Sequence, residues 1–79
     1  MKVKVRLYGT LSQRFPGYRH SEGLEVELPD GAAAKDLLAL LEISESQGAV
    51  VIMEDRILKA DDRIRGGVTV NVLQSIYGG

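Results

Sequence analysis

The chain contains no cysteine and no tryptophan, one phenylalanine, two prolines and a single histidine. Without cysteine there can be no disulfide, no thiolate metal ligand and no thiol nucleophile. One histidine, His20, restricts imidazole chemistry to one position. An excess of one charge is also missing. Ten lysines and arginines face eleven aspartates and glutamates, a formal net charge of −1. That balance offers no basic field for nucleic acid or for an anionic membrane surface. Apolar runs are short, well below the ~20 residues of a membrane-spanning helix. The opening Met1-Lys2-Val3-Lys4-Val5 has no signal-peptide apolar block, so a cytoplasmic location is expected.

What remains is an ordinary globular balance. Of the 79 residues, 44% are hydrophobic and 27% charged, which suits one domain with a small core rather than a disordered chain. Lys2 to Tyr8 alternates strictly, with Val3, Val5 and Leu7 toward a core and Lys2, Lys4 and Arg6 toward water, which predicts a strand ended by Gly9. Thr10 and Gln13 have the spacing of a capping box, predicting a short helix over 10–15 stopped by Pro16-Gly17. Tyr18 to Gly23 reads as an exposed loop.

Leu24 to Leu28 alternates again, with Leu24, Val26 and Leu28 inward. It could pair antiparallel with the first strand, its glutamates near that strand's cations. Pro29-Asp30-Gly31 signals a turn. Ala34, Leu37, Leu38 and Leu41 form one apolar stripe, predicting the main helix over 32–42, weakly capped because Ala33 occupies the cap position.

Ile43 to Gly48 reads as a polar connection, and Ala49 to Met53 as a strand buried on both faces. Glu54-Asp55 forms a candidate tight turn, although neither residue favours positive φ. Arg56 to Leu58 reads as a short strand, and 61–67 as a turn-rich loop. A last strand runs from Val68 to Leu73. The expected class is α+β: a mixed sheet of about five strands with one main helix across a face. Residues 1–79 form one domain, with a flexible tail from about 75.

No internal site emerges. His20 has neither a nucleophile nor an orienting carboxylate in view and reads as a solvated loop residue. Asp61-Asp62 lacks spaced oxygen ligands, so no metal is expected. Gly66-Gly67 precedes a strand rather than a helix and reads as turn glycines. Arg56, Arg63 and Arg65 cluster in sequence, serving either an acidic docking surface or an ordinary solvated face. Leu73 and Tyr8 fall on the polar side of their strands and could form an apolar docking patch.

The reactive feature is the C-terminus, Ile76-Tyr77-Gly78-Gly79. Glycine lets another backbone or a phosphate approach closely. The Gly79 carboxylate is ionised at neutral pH and can attack the α-phosphate of ATP. Extended, the last five residues would reach roughly 16 Å, enough to enter a pocket on another protein. If that carboxylate is activated, the missing thiol means that sulfur would have to come from a partner.

Over essentially its whole length the chain resembles the sulfur-carrier proteins of the β-grasp, ubiquitin-like family, the ThiS and MoaD group. The resemblance is carried by Val3 to Leu11, by Val26-Glu27-Leu28-Pro29-Asp30-Gly31 leading into Asp36-Leu37-Leu38, and by the terminal Gly78-Gly79. The segment after the first strand looks more like MoaD, the molybdopterin-synthase small subunit. The resemblance implies a co-substrate rather than an enzyme. An adenylating partner of the ubiquitin-activating, MoeB- or ThiF-like type would use ATP and Mg²⁺ to adenylate Gly79. A sulfurtransferase or cysteine desulfurase would supply sulfur. A MoaE- or ThiG-like synthase would accept it for molybdopterin, tungstopterin or thiamine. Gly79 would carry the sulfur, Gly78 would thread a narrow channel, and Tyr77 and Ile76 would contact its mouth. Ser75-Ile76-Tyr77 matches neither the usual molybdopterin pattern nor the thiamine one. Two other uses of the same chain are a protein modifier conjugated through Gly79, and a non-covalent interaction module whose glycines are incidental.

Overall fold

Alternation in the first strand decides where the core forms. The computed structural model describes residues 1–43 and 48–74. β1 (Lys2–Leu7) buries Val3, Val5 and Leu7 and exposes Lys2 and Lys4. β2 (Leu24–Glu27), β3 (Ala49–Met53), β4 (Arg56–Leu58) and β5 (Thr69–Gln74) complete one mixed sheet in the order β2-β1-β5-β3-β4. The first and last strands lie side by side and parallel at the centre, with Val5 opposite Val70 and Leu7 opposite Val72. All other pairs are antiparallel. Lys2 faces Glu27 and Lys4 faces Glu25, as the charge pattern predicts.

The helix α1 (Ala34–Leu40) covers one face, burying Ala34, Leu37 and Leu38. It is shorter than the predicted 32–42 at both ends. At its start the cap position is Ala33, and the Asp36 carboxylate compensates by accepting the Ala33 N–H at 2.8 Å. At its end Glu42 takes φ 58°, while the N–H groups of Glu42 and Ile43 donate to the carbonyls of Ala39 and Leu38. This reversal carries Ile43 back into the core, where it is 4% exposed. The expectation that Ile43 belongs to a polar connection is therefore corrected; residues 44–47 of that connection lie outside the described residues.

Two further expectations are overturned. The short helix expected over 10–15 is present as a 3-10 helix, Gly9–Arg14, but Thr10 does not cap it; the cap position is Tyr8. The Thr10 hydroxyl instead donates to Gln74 Oε1 at 2.9 Å, tying this segment to the end of β5. β3 is buried on one face only. Val51 and Met53 point under α1, whereas Val50 and Ile52 remain half-exposed on the opposite face. The reason is layering: among the described residues α1 is the one α-helix, and it covers one face of the sheet.

Candidate functional site

β5 is the strand that delivers the C-terminal segment. Val70 and Val72 are fully buried, and the strand is hydrogen-bonded between β1 and β3 up to the pair Gln74–Ala49. Three neighbours therefore hold its end: β1, β3 and, through Thr10, the 3-10 segment. Gln74 is the last described residue. Ile76, Tyr77, Gly78 and Gly79, the predicted acyl end and its tail contacts, lie outside the described residues.

The uncovered face of the sheet gathers the predicted patch and extends it. Leu73 lies opposite Val50, and Asn71 opposite Ile52, which in turn lies opposite Ile57. Ile57 is 70% exposed, the largest value among the described large hydrophobic side chains. Tyr8 sits beyond the end of β1, its N–H bonded to the Val72 carbonyl at 3.1 Å and its hydroxyl to Asn71 Oδ1 at 3.4 Å. Tyr8 and Leu73 thus occupy the same end of the same face, as the alternation predicts. Val50, Ile52 and Ile57 were not singled out by sequence reasoning. The signal that could have found them is the two-residue period, once Val51, Met53 and Leu58 are assigned to the core.

The three arginines do not join this patch. Arg56 is opposite Met53, at the far end of the β3–β4 hairpin. Arg65 forms an ion pair with Glu54 in the turn of that hairpin. Arg63 bridges to Ala33 beside the helix start. Sequence proximity put them together; the loop from β4 to β5 passes the helix start and returns, which separates Arg63 from the other two.

His20 is exposed but does not stand alone in its loop. Its ring packs edge-on against Tyr8, 4.9 Å between centroids, and its Nδ1 is 3.3 Å from the Tyr18 hydroxyl. That hydroxyl also accepts the Leu7 N–H at 2.8 Å and lies 3.3 Å from the Leu7 carbonyl. Tyr18 therefore closes the end of β1, and His20 rests on it. Neither a carboxylate nor a nucleophile is part of this cluster among the described residues. A shallow cavity of about 260 Å³ lies between α1 and β3–β4, lined by Ala34, Leu38, Ala49, Val51, Leu58 and Ala60. None of these side chains can act as an acid, base or nucleophile. Among the described residues no group of three or more histidine, aspartate or glutamate side chains could hold a metal ion. No described helix is long and apolar enough to cross a membrane.

No family model matches the sequence, and no curated protein matches it. Solved structures do match. A Pyrococcus furiosus protein assigned as molybdopterin converting factor, subunit 1, superposes with a TM-score of 0.72 at 21% identity, over 95% of this chain and 98% of its own. SAMP1 from Haloferax volcanii superposes with a TM-score of 0.69 at 14% identity, over 100% of both chains. The chain has the β-grasp fold. Coverage from end to end means that the likeness includes the whole sheet order and not a single hairpin. In this β-grasp domain the strand that leads to the C-terminal segment is central, and among the described residues no element covers the apolar face beside its end.

Proposed function

We propose that this β-grasp domain is a sulfur carrier whose Gly79 carboxylate is adenylated by a partner enzyme and converted to a thiocarboxylate. The observation that carries the proposal is the position of β5. A strand buried at the centre of the sheet, pinned on three sides to Gln74, leads directly into Ser75-Ile76-Tyr77-Gly78-Gly79. The fold shared with a protein assigned as a molybdopterin converting factor subunit supports the same reading.

The chain's own contribution is presentation. Gly79 supplies an acyl group without a side chain beside it, and Gly78, also without one, lets the tail thread a narrow channel. One carboxylate oxygen attacks the α-phosphorus of ATP on an adenylating partner that also holds Mg²⁺; pyrophosphate leaves and an acyl-adenylate forms. The terminal sulfur of a persulfide, supplied by a sulfurtransferase or cysteine desulfurase, attacks the acyl carbon and expels AMP. A second thiol of the partner then cleaves the acyl disulfide, becoming part of a disulfide itself and releasing the thiocarboxylate. A synthase would accept that sulfur for molybdopterin, tungstopterin or thiamine. Catalysis belongs to the partners, since the described residues bring no acid–base or nucleophilic pair together.

The test is intact-mass measurement after incubation with ATP, Mg²⁺, the cognate adenylating enzyme and a persulfide donor. The expected result is exchange of one oxygen for one sulfur at Gly79. A variant extended by one residue beyond Gly79 should remain folded and gain nothing. Absence of the exchange with the cognate enzyme, or lysine-linked conjugates in place of a thiocarboxylate, would overturn the proposal.

A further inference from the structure

The cations of β1 on the uncovered face are not equivalent. Lys2 is opposite Glu27 and Lys4 is opposite Glu25, so each has an acid across the β1–β2 ladder. Continuing this register, Arg6 faces Gly23, where no acid can stand. Gly23 has φ +68°, and a Cβ there would lie 2.8 Å from the Val5 carbonyl oxygen and 3.2 Å from the Lys4 side chain. On its other side Arg6 is opposite Asn71, a neutral residue whose Oδ1 already accepts the Tyr8 hydroxyl. Arg6 is half-buried, and its Nε is buried without a hydrogen-bond partner among the described residues. Buried guanidinium donors are normally paired, because desolvation without an acceptor is costly.

The same register places Arg6 in a row. Arg6, Asn71, Ile52 and Ile57 lie opposite one another across β1, β5, β3 and β4. With strands spaced about 4.8 Å apart, Ile52 lies ~10 Å from Arg6 and Ile57 ~14 Å. One end of the row is a cation lacking an acid among the described residues, and the other is a half-buried Ile52 beside an exposed Ile57.

We infer that Arg6 is a specificity-determining residue of a docking surface: it receives a carboxylate of a partner protein whose apolar side chains cover Ile52 and Ile57. Arginine suits this role because its planar fork binds a carboxylate through two parallel N–H bonds. Desolvation by the flanking apolar contact strengthens the pair beyond what an exposed ion pair provides. The inference deepens the proposed function, on which it rests, by naming what the adenylating partner must present to this face.

The experiment uses the full chain and the purified cognate adenylating enzyme, with binding measured by calorimetry. Arg6→Glu and Arg6→Gln should each weaken binding by at least about tenfold, and Ile57→Ser should weaken it as well. The thermal midpoint of Arg6→Gln should match the parent chain, since no ion pair within the domain is lost. Replacing the contacting acid of the enzyme by arginine should restore binding to Arg6→Glu. Should Arg6→Glu fail to fold, Arg6→Gln carries the same comparison. A loss smaller than tenfold for the folded arginine variants would overturn the inference. Oxygen-to-sulfur exchange at Gly79 is read separately. Exchange in the parent chain with Arg6-independent binding defeats only the inference; Arg6-dependent binding without exchange defeats only the functional reading.

Discussion

Asp55 shows what a single residue can cost. Glu54 and Asp55 join β3 to β4 as a two-residue turn, with φ of 50° and 65°. Right-handed strand twist favours such turns, and they are usually made by Asn-Gly because both central residues need positive φ. Glu54 also holds Arg65, but both side chains are more than half exposed, so that pair adds little stability. Asp55→Gly should therefore stabilise the domain by about 0.5 to 1 kcal/mol, through relief at a left-handed position. Urea denaturation checks this: the midpoint should rise with the slope unchanged. A lowered midpoint would mean that the Asp55 side chain has a role the turn geometry does not reveal.

At the scale of elements, α1 and the sheet depend on each other. A helix of seven residues is too short to persist alone in water. It survives because Leu37 is fully buried in the core that the helix shares with the sheet. Its two ends are fixed by unusual means, the Asp36 carboxylate at the start and the reversal through Glu42 at the end. Leu37→Ala should cost about 2 to 5 kcal/mol, since little else can collapse into the space. The expected observation is a clearly lower thermal midpoint. A loss below about 1 kcal/mol would show that the helix layer is less tightly packed than its burial indicates.

For the whole molecule, the N-terminal ammonium matters more than its position suggests. It donates to the Leu28 carbonyl at 2.6 Å and pairs with Glu27 at 2.8 Å and Asp30 at 3.4 Å, closing the far end of the β1–β2 ladder. Hydrogen bonding to Glu27 is the main cause that raises its pKa above the usual 8.0 of an α-amino group. A raised amine pKa contributes stability below the unfolded value and loses it as pH climbs through the folded one. The thermal midpoint should therefore fall as pH climbs above about 8, and Glu27→Gln should flatten that fall. An equal slope in both proteins would contradict the assignment. Asp61 behaves in the opposite sense. Its hydrogen bond from Lys35 lowers its pKa below 3.8, so its contribution is present at neutral pH and disappears in acid.

Much of this fold was legible in order and period. Strict alternation in Lys2–Leu7 and Leu24–Leu28 identified strands and their inner faces, because a strand turns its side chains every second residue whatever surrounds it. The stripe through Ala34, Leu37 and Leu38 did the same for α1. Tyr8 and Leu73 were placed together by the same parity. Residues with no period of their own were decided by tertiary structure. Ala49–Met53 reads as apolar throughout, and only a count of layers shows that Val50 and Ile52 lack a cover. Ile43 looks polar by its neighbours, yet a reversal at Glu42 buries it. Arg6 is one cation in an alternating strand until the register sets it against Gly23 and Asn71. Composition and spacing are local, whereas register, layering and the return of a loop are set by contacts between distant segments. For that reason the proposed chemistry of Gly78-Gly79 was legible in the sequence, while the surface beside the end of β5 became visible only in the folded sheet.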